Sequence, residues 1–205
     1  MNKKLVKKIL DAAVMAPSGD NVQPWNFKVS ENFTVIELYN CPEKDDSYYN
    51  YQQCASYIAH GAVIENIVIA AEHSGCQTEI NLFPDNKTPN LVAKIQLTTA
   101  SPRPTPYYEA IFNRRTNRFP YQPAHITDEN IQVIMDSVKN IDTCKISIVN
   151  QRDKIKDLAK ILMINDQLVF EHQAIHQFLF SKIRWNQQQI EQTRDGMPVG
   201  ALNLT

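Results

Sequence analysis

The stretch APSGDNVQPWNF, Ala16 to Phe27, sets how the rest of the chain is read. Before it, Leu5, Val6, Ile9, Leu10, Ala13 and Val14 recur at helical spacing, and Pro17 stops that helix. After it, Phe27–Ser30 and Phe33–Tyr39 alternate like two strands of a hairpin that turns near Glu31-Asn32. The stretch itself is a stiff polar loop: Pro17 and Pro24 restrict its backbone, while Ser18, Asn21 and Gln23 offer donors and acceptors. Two readings stay open at this point. The loop caps the helix before it, or it grips the edge of a flat heteroaromatic ligand.

Outward from the hairpin, the segment from Gln53 to Ser74 is apolar on all sides, with Gly61 and several alanines suited to close helix packing and Gly75 as a stop. It is expected to be a central, buried helix. Thr78–Phe83 and Val92–Leu97 alternate as two more strands, and Ala100–Pro106, with three prolines, reads as a stiff linker. The linker divides the chain into an expected first half, 1–100, and a second, 101–205. In the second half a helix spans Tyr107–Arg114, and Thr127 is the N-cap of an amphipathic Ile131–Val138. Lys145–Val149 alternates as a strand, and Arg152 to about Gln192 reads as two helices. Helices mixed with antiparallel-looking strands give an α+β fold.

With 205 residues, 21 basic against 22 acidic side chains and a net charge of −1, the chain has no field that would recruit nucleic acid or a membrane surface. Lys7, Lys8 and Asp11 interrupt the first apolar stretch, so no signal-peptide core forms. No run approaches the ~20 apolar residues of a membrane span, and the expected location is the cytoplasm. Cys41, Cys54, Cys76 and Cys144 show no paired spacing and read as reduced thiols. His172 and His176 follow Glu171 as EHxxxH, without the glutamate between histidines that the zinc-protease pattern needs, so no metal is expected. Asp85 and Asp195 read as turn residues, and Trp185 as a packing residue. With five glycines and no phosphate-loop or GxSxG pattern, no protein nucleophile or acid–base pair stands out.

One further motif carries chemistry. In RRTNRF, Arg114, Arg115 and Arg118 surround Thr116 and Asn117. Guanidiniums beside a hydroxyl suit a phosphate, and they equally suit a solvated basic turn paired with carboxylates such as Glu109.

Taken together, the two motifs resemble those of the nitroreductase-like flavoprotein superfamily, whose members carry an APSxxNxQPWxF loop and an RRSxRxF phosphate motif. The segment HGAVIENIVIAAEHSG, 60–75, is similar to that family's buried helix. In most members the arginine motif precedes the other loop, and FMN lies at a dimer interface. The reversed order here resembles a duplicated, single-chain Acg-type subgroup, whose two halves form an intramolecular pseudo-dimer.

The resemblance implies an FMN-dependent oxidoreductase in which NAD(P)H reduces the flavin and a nitroaromatic, quinone or similar acceptor reoxidises it. It implies that Arg114, Arg115 and Thr116 hold the FMN phosphate, that Arg118 approaches the flavin N1/O2 edge, and that Pro17, Ser18, Gly19 and Asn21 line the ring system. Gln23 and Trp25 are expected to support and pack, and no side chain is expected to be catalytic because the cofactor carries the chemistry. An alternative class is a flavin-sequestering protein with little turnover, with the region 171–192 as a lid. Members of the subgroup run on by roughly a hundred residues after a segment like Asp195–Pro198, so the second half is expected to be incomplete. Apolar surface left open by such a truncation would make the chain fragile or drive homo-oligomerisation.

Overall fold

The computed structural model describes residues 1–139 and 141–202. It divides into two compact units, one formed by residues 1–117 with 177–205 and the other by residues 118–176. These units are defined by packing, whereas the 100/101 boundary concerns the relatedness of two halves.

The first unit is built on a four-stranded antiparallel sheet. Its strands are β1 (Trp25–Val29), β2 (Val35–Asn40), β3 (Cys76–Leu82) and β4 (Leu91–Thr99), in the spatial order β1-β2-β4-β3. The alternation that marks these strands in the sequence is the alternation of burial: along β2, Ile36, Leu38 and Asn40 face inward. β4 is central, and buries Leu91, Val92, Ala93, Ile95 and Leu97. A register shift at Leu38/Tyr39 marks a bulge just before the chain leaves β2.

Two helices complete the core. Helix α1 (Lys3–Ala13) is capped by Asn2, whose side chain accepts from the Leu5 amide at 2.9 Å, and buries Val6, Ile9, Ala12 and Ala13. Helix α2 (Cys54–His73) packs against α1 and the sheet through Ala59, Val63, Ile67, Ala70 and Ala71. Gly75 ends it with φ +79°, and a Cβ there would stand 3.1 Å from the Ala100 carbonyl, so both conformation and space call for glycine.

The expectation that no segment matches a membrane span needs correcting. The helical stretch Tyr51–His73 contains an 18-residue window with a mean hydropathy of 1.4 and has the length to cross a membrane. Here it is a core helix: Ser56 and His60 are buried polar residues within it, and Ile67 is fully buried with them.

Helix α3 (Pro106–Asn113) closes this part of the core with Tyr108 and Ile111, its N-cap Thr105 accepting from the Tyr107 amide. The second unit contains α4 (Asp128–Asp136), with Thr127 as N-cap, and α5 (Arg152–Glu171). Lys145–Val149, expected as a strand, has no regular structure. Alternation specifies a strand only where another strand supplies ladder partners, and the described residues of this unit contain none.

The stretch expected as two helices, Arg152 to Gln192, forms three helices with a strand among them. After α5 come α6 (Gln173–Ser181), the short strand β5 (Ile183–Arg184) and α7 (Gln187–Thr193). β5 pairs in parallel with β6 (Met197–Pro198) in the first unit.

Candidate functional site

The loop between α1 and β1 is held in an unusual backbone conformation. Asp20, Asn21 and Gln23 have φ of 45°, 56° and 51°, three left-handed residues within four positions and none of them glycine. Each such residue costs on the order of 1 kcal/mol, less where Asn or Asp makes local hydrogen bonds. The conformation therefore needs bonds that over-determine it.

Those bonds come first from the loop itself. The Ser18 hydroxyl oxygen accepts from the Gln23 amide at 3.0 Å, the Asn21 amide donates to the Ser18 carbonyl and the Val22 amide to Gly19. Val22, Pro24 and Trp25 are buried beneath it. The next loop, after β2, adds a floor: the Cys41 amide donates to the Pro24 carbonyl at 2.9 Å, and Lys44 Nζ donates to the Gln23 carbonyl at 3.2 Å.

Behind that floor lies a buried polar network. Asn50 Nδ2 donates to the Asp45 carbonyl and the Ser56 hydroxyl, both at 2.9 Å, and its own oxygen accepts from the Ser56 amide. Asn40 donates to Gln53 at 3.0 Å, and His60 Nδ1 meets the Ser56 carbonyl. Burial holds the His60 imidazole below its ordinary pKa, against the opposing pull of the Ser56, Tyr39 and Pro24 carbonyls that it faces. The ring is therefore held neutral inside α2, where Nδ1 bonds to the Ser56 carbonyl and the buried Nε2 has no hydrogen-bond partner among the described residues.

A second set of bonds comes from far along the chain. Asn21 Nδ2 donates to the Gly196 carbonyl and the Gly196 amide donates to the Asn21 carbonyl, both at 3.0 Å. Gln23 Nε2 donates to the Arg194 carbonyl at 2.6 Å. Arg184 fixes the turn that carries these partners, its Nη2 and Nε reaching one Asp195 oxygen at 2.5 and 3.0 Å. Burial would raise the Asp195 pKa, but the bonds from Arg184 and Thr193 prevail and hold it below the usual carboxylate range.

The arginine motif sits at the end of α3. Arg114, Arg115 and Thr116 are exposed. Arg114 Nη2 donates to the Met15 carbonyl and Nη1 to the Thr116 hydroxyl, both at 3.4 Å. Arg115 Nη1 donates to the Phe112 and Arg114 carbonyls at 2.8 Å. Arg114 thus reaches the end of the α1 segment two residues before Pro17.

Of the expected site residues, Pro17, Ser18, Gly19, Asn21, Arg114, Arg115 and Thr116 lie in the first unit, and Arg118 opens the second. Pro17, Gly19 and Asn21 are exposed and Ser18 is half-buried. A Cβ built on Gly19 would meet only Asp45 Oδ2, at 3.9 Å, so that side of the loop is open.

Gln23 supports the loop, as expected. Asp85 is a turn residue, accepting from the Lys87 amide and the Thr88 hydroxyl. Asp195 does more than turn the chain, because it anchors Arg184. Sequence reasoning missed Arg184, Gly196 and the Asn50 network; the Asp-Gly pair at 195–196 was the available signal for a tight turn, but nothing local indicated what the turn would hold.

No family model matches the chain. Two Mycobacterium tuberculosis proteins, each named "Putative NAD(P)H nitroreductase", are similar to it. With Rv3131 it shares 30% identity over 118 residues, which is 57% of this chain and 34% of the relative. With acg it shares 25% identity over 181 residues, 86% of this chain and 53% of the relative. The chain therefore spans about half or less of these curated relatives. A solved structure of an FMN-dependent nitroreductase from Clostridium difficile R20291 is 15% identical and aligns with 58% of this chain and 90% of its own, at a TM-score of 0.40. The similarity to the two relatives supports a place for the chain near the nitroreductase-like superfamily, and leaves its own chemistry to be argued from its residues.

Proposed function

We propose that this chain binds FMN and serves an oxidoreductase of the nitroreductase type, passing electrons from NAD(P)H to a nitroaromatic, quinone or similar acceptor. The observation that carries the reading is the bond from Arg114 to the carbonyl of Met15, which brings the arginine motif to the residue just before the Ala16–Phe27 stretch, 99 residues earlier in sequence.

The donor set fits the phosphate end of the cofactor. Arg114, Arg115 and Thr116 are exposed, and two guanidiniums with a hydroxyl match a phosphate dianion in charge and in donor chemistry. The remaining roles come from the resemblance. Arg118 is assigned to the N1/O2 edge, where a cation favours the reduced, anionic ring, and Pro17, Ser18 and Gly19 are assigned to the wall. Bound FMN would supply the hydride and electron transfer, while the protein supplies binding, orientation and the exclusion of water. Residues 1–100 and 101–205 would be two related halves of a pseudo-dimer.

The test is spectroscopic. Titration of the purified chain with FMN should shift and sharpen the flavin absorption bands, and anaerobic NADPH or NADH should bleach them. Bands that shift but resist bleaching would leave a flavin-binding protein without turnover. The absence of any binding would reject the reading for this chain.

A further inference from the structure

Besides the segment after β2, the loop at Pro17–Gln23 is held by a short segment from far along the chain, Arg194–Gly196. Asn21 and Gly196 exchange bonds in both directions, 175 residues apart, and Gln23 donates to Arg194 in the same turn. The geometry of that turn leaves little freedom. Arg194 and Gly196 have φ of 54° and 72°. A Cβ on Gly196 would stand 2.5 Å from the Lys182 carbonyl and 2.7 Å from Arg184 Cζ. The Met197 amide donates to that same Lys182 carbonyl at 2.8 Å, Lys182 Nζ donates to the Lys44 carbonyl, and Lys44 returns to the Gln23 carbonyl. These bonds close a ring through the loop, the floor beneath it and the turn.

We infer that the Arg184–Asp195–Gly196 turn is a clamp that positions the candidate flavin-facing loop, and that Asn21 is a clamp residue and not a flavin ligand. The second half follows from the orientation of the Asn21 side chain, which its bond to the turn fixes. The Asn21 amide nitrogen is engaged with the Gly196 carbonyl, so pointing it at a ring would break the bond that holds its own backbone in the left-handed region. Arg184 is the keystone because it is 14% exposed and contacts Asp195, Thr193 and the Ser181 carbonyl at once. Ligand affinity at Ser18 and Gly19 then depends on residues that never touch the ligand.

The inference rests on the proposed FMN reading for its functional half only, so the test has two readouts. Amide hydrogen exchange is followed at Val22, Trp25 and Gly196, with Ile67 in α2 as the internal reference. FMN affinity is measured by fluorescence quenching on the same samples. The variants are D195N, which weakens the charge-assisted bond to Arg184, G196A, which inserts a clashing Cβ, and N21A.

In each variant the loop and turn amides should exchange about tenfold faster while Ile67 is unchanged. FMN affinity should fall by a similar factor in all three, because all three release the same loop. D195E should recover part of both losses. If G196A does not fold, D195N and N21A decide the matter. Loop exchange at the wild-type rate in D195N would overturn the clamp. So would an N21A variant that loses FMN with its loop protection intact, since Asn21 would then act on the ligand directly. Should the wild type bind no FMN, the functional proposal falls, and the exchange data still decide whether the clamp exists.

Discussion

The two loops that define the candidate site are built in opposite ways. The Pro17–Gln23 loop carries three left-handed residues and is bonded to itself, to the segment after β2 and to the Arg194–Gly196 turn. The Arg114–Thr116 loop is exposed, and its arginines bond mainly to nearby carbonyls through side-chain nitrogens that can exchange partners. A wall that fixes the orientation of a flat ligand must be rigid before the ligand arrives, or binding pays the ordering entropy. A phosphate grip can form on arrival, because charge-assisted bonds to a dianion replace weaker bonds to carbonyls and water. On the proposed reading, the rigid loop would supply geometry and the exposed one affinity.

The sharpest test of that division is the double variant R114A/R115A. FMN affinity is expected to fall by about a hundredfold or more, from the loss of charge-assisted bonds. The thermal midpoint should hardly move, since exposed side chains away from packing contribute little to stability. A large fall in the midpoint would show that the arginine loop is structural after all.

The rigid side can be probed through its support. Ile67→Ala removes a fully buried side chain between α2 and the sheet, and should cost about 2–5 kcal/mol in denaturant unfolding. Leu162→Ala in α5, where the side chain is 63% exposed, should stay within about 0.5 kcal/mol in the same experiment.

Acidity separates two supports around the rigid loop. His60 is held neutral in the fold, so the unfolded chain takes up the proton first, and stability should fall as pH drops below about 6.5, the ordinary imidazole value. Substitution of His60 by Gln should flatten that part of the profile. Asp195 runs at lower pH: its folded pKa is depressed, so its contribution is complete above the ordinary carboxylate range and is lost as pH falls through the depressed value. Exchange protection at Gly196 should therefore be constant from neutral pH down to about pH 5 and vanish only in stronger acid. The smallest effect expected is that of Thr116→Ala, a loss of about threefold in FMN affinity, measured by the same titration.

Much of the first unit was legible because its elements announce themselves locally. The α1 stripe ends where Pro17 stands, the β1–β2 hairpin alternates as it buries, and Gly75 stops α2 at a left-handed turn. The second unit was harder for a physical reason. Helices α2 and α5 each have 20 residues, yet α2 buries seven of them and α5 none. Both segments read as helices, but burial depends on what a helix packs against in its own unit, and α2 packs against a sheet. Lys145–Val149 failed as a strand on the same ground. At the candidate site, Pro17, Ser18 and the arginines were pointed to by the resemblance of their motifs, whereas Arg184 and Gly196 were not, because the loop their turn holds lies more than 150 residues away in sequence.

The most direct test of the central claim compares FMN with riboflavin, which differs only by the phosphate, on the wild-type chain and on R114A/R115A. If one loop positions the ring and the other grips the phosphate, the wild type should prefer FMN by about a hundredfold, and the double variant should bind the two alike, near the wild-type affinity for riboflavin. Equal affinities on the wild type, or a preference for FMN that survives in the double variant, would contradict the account.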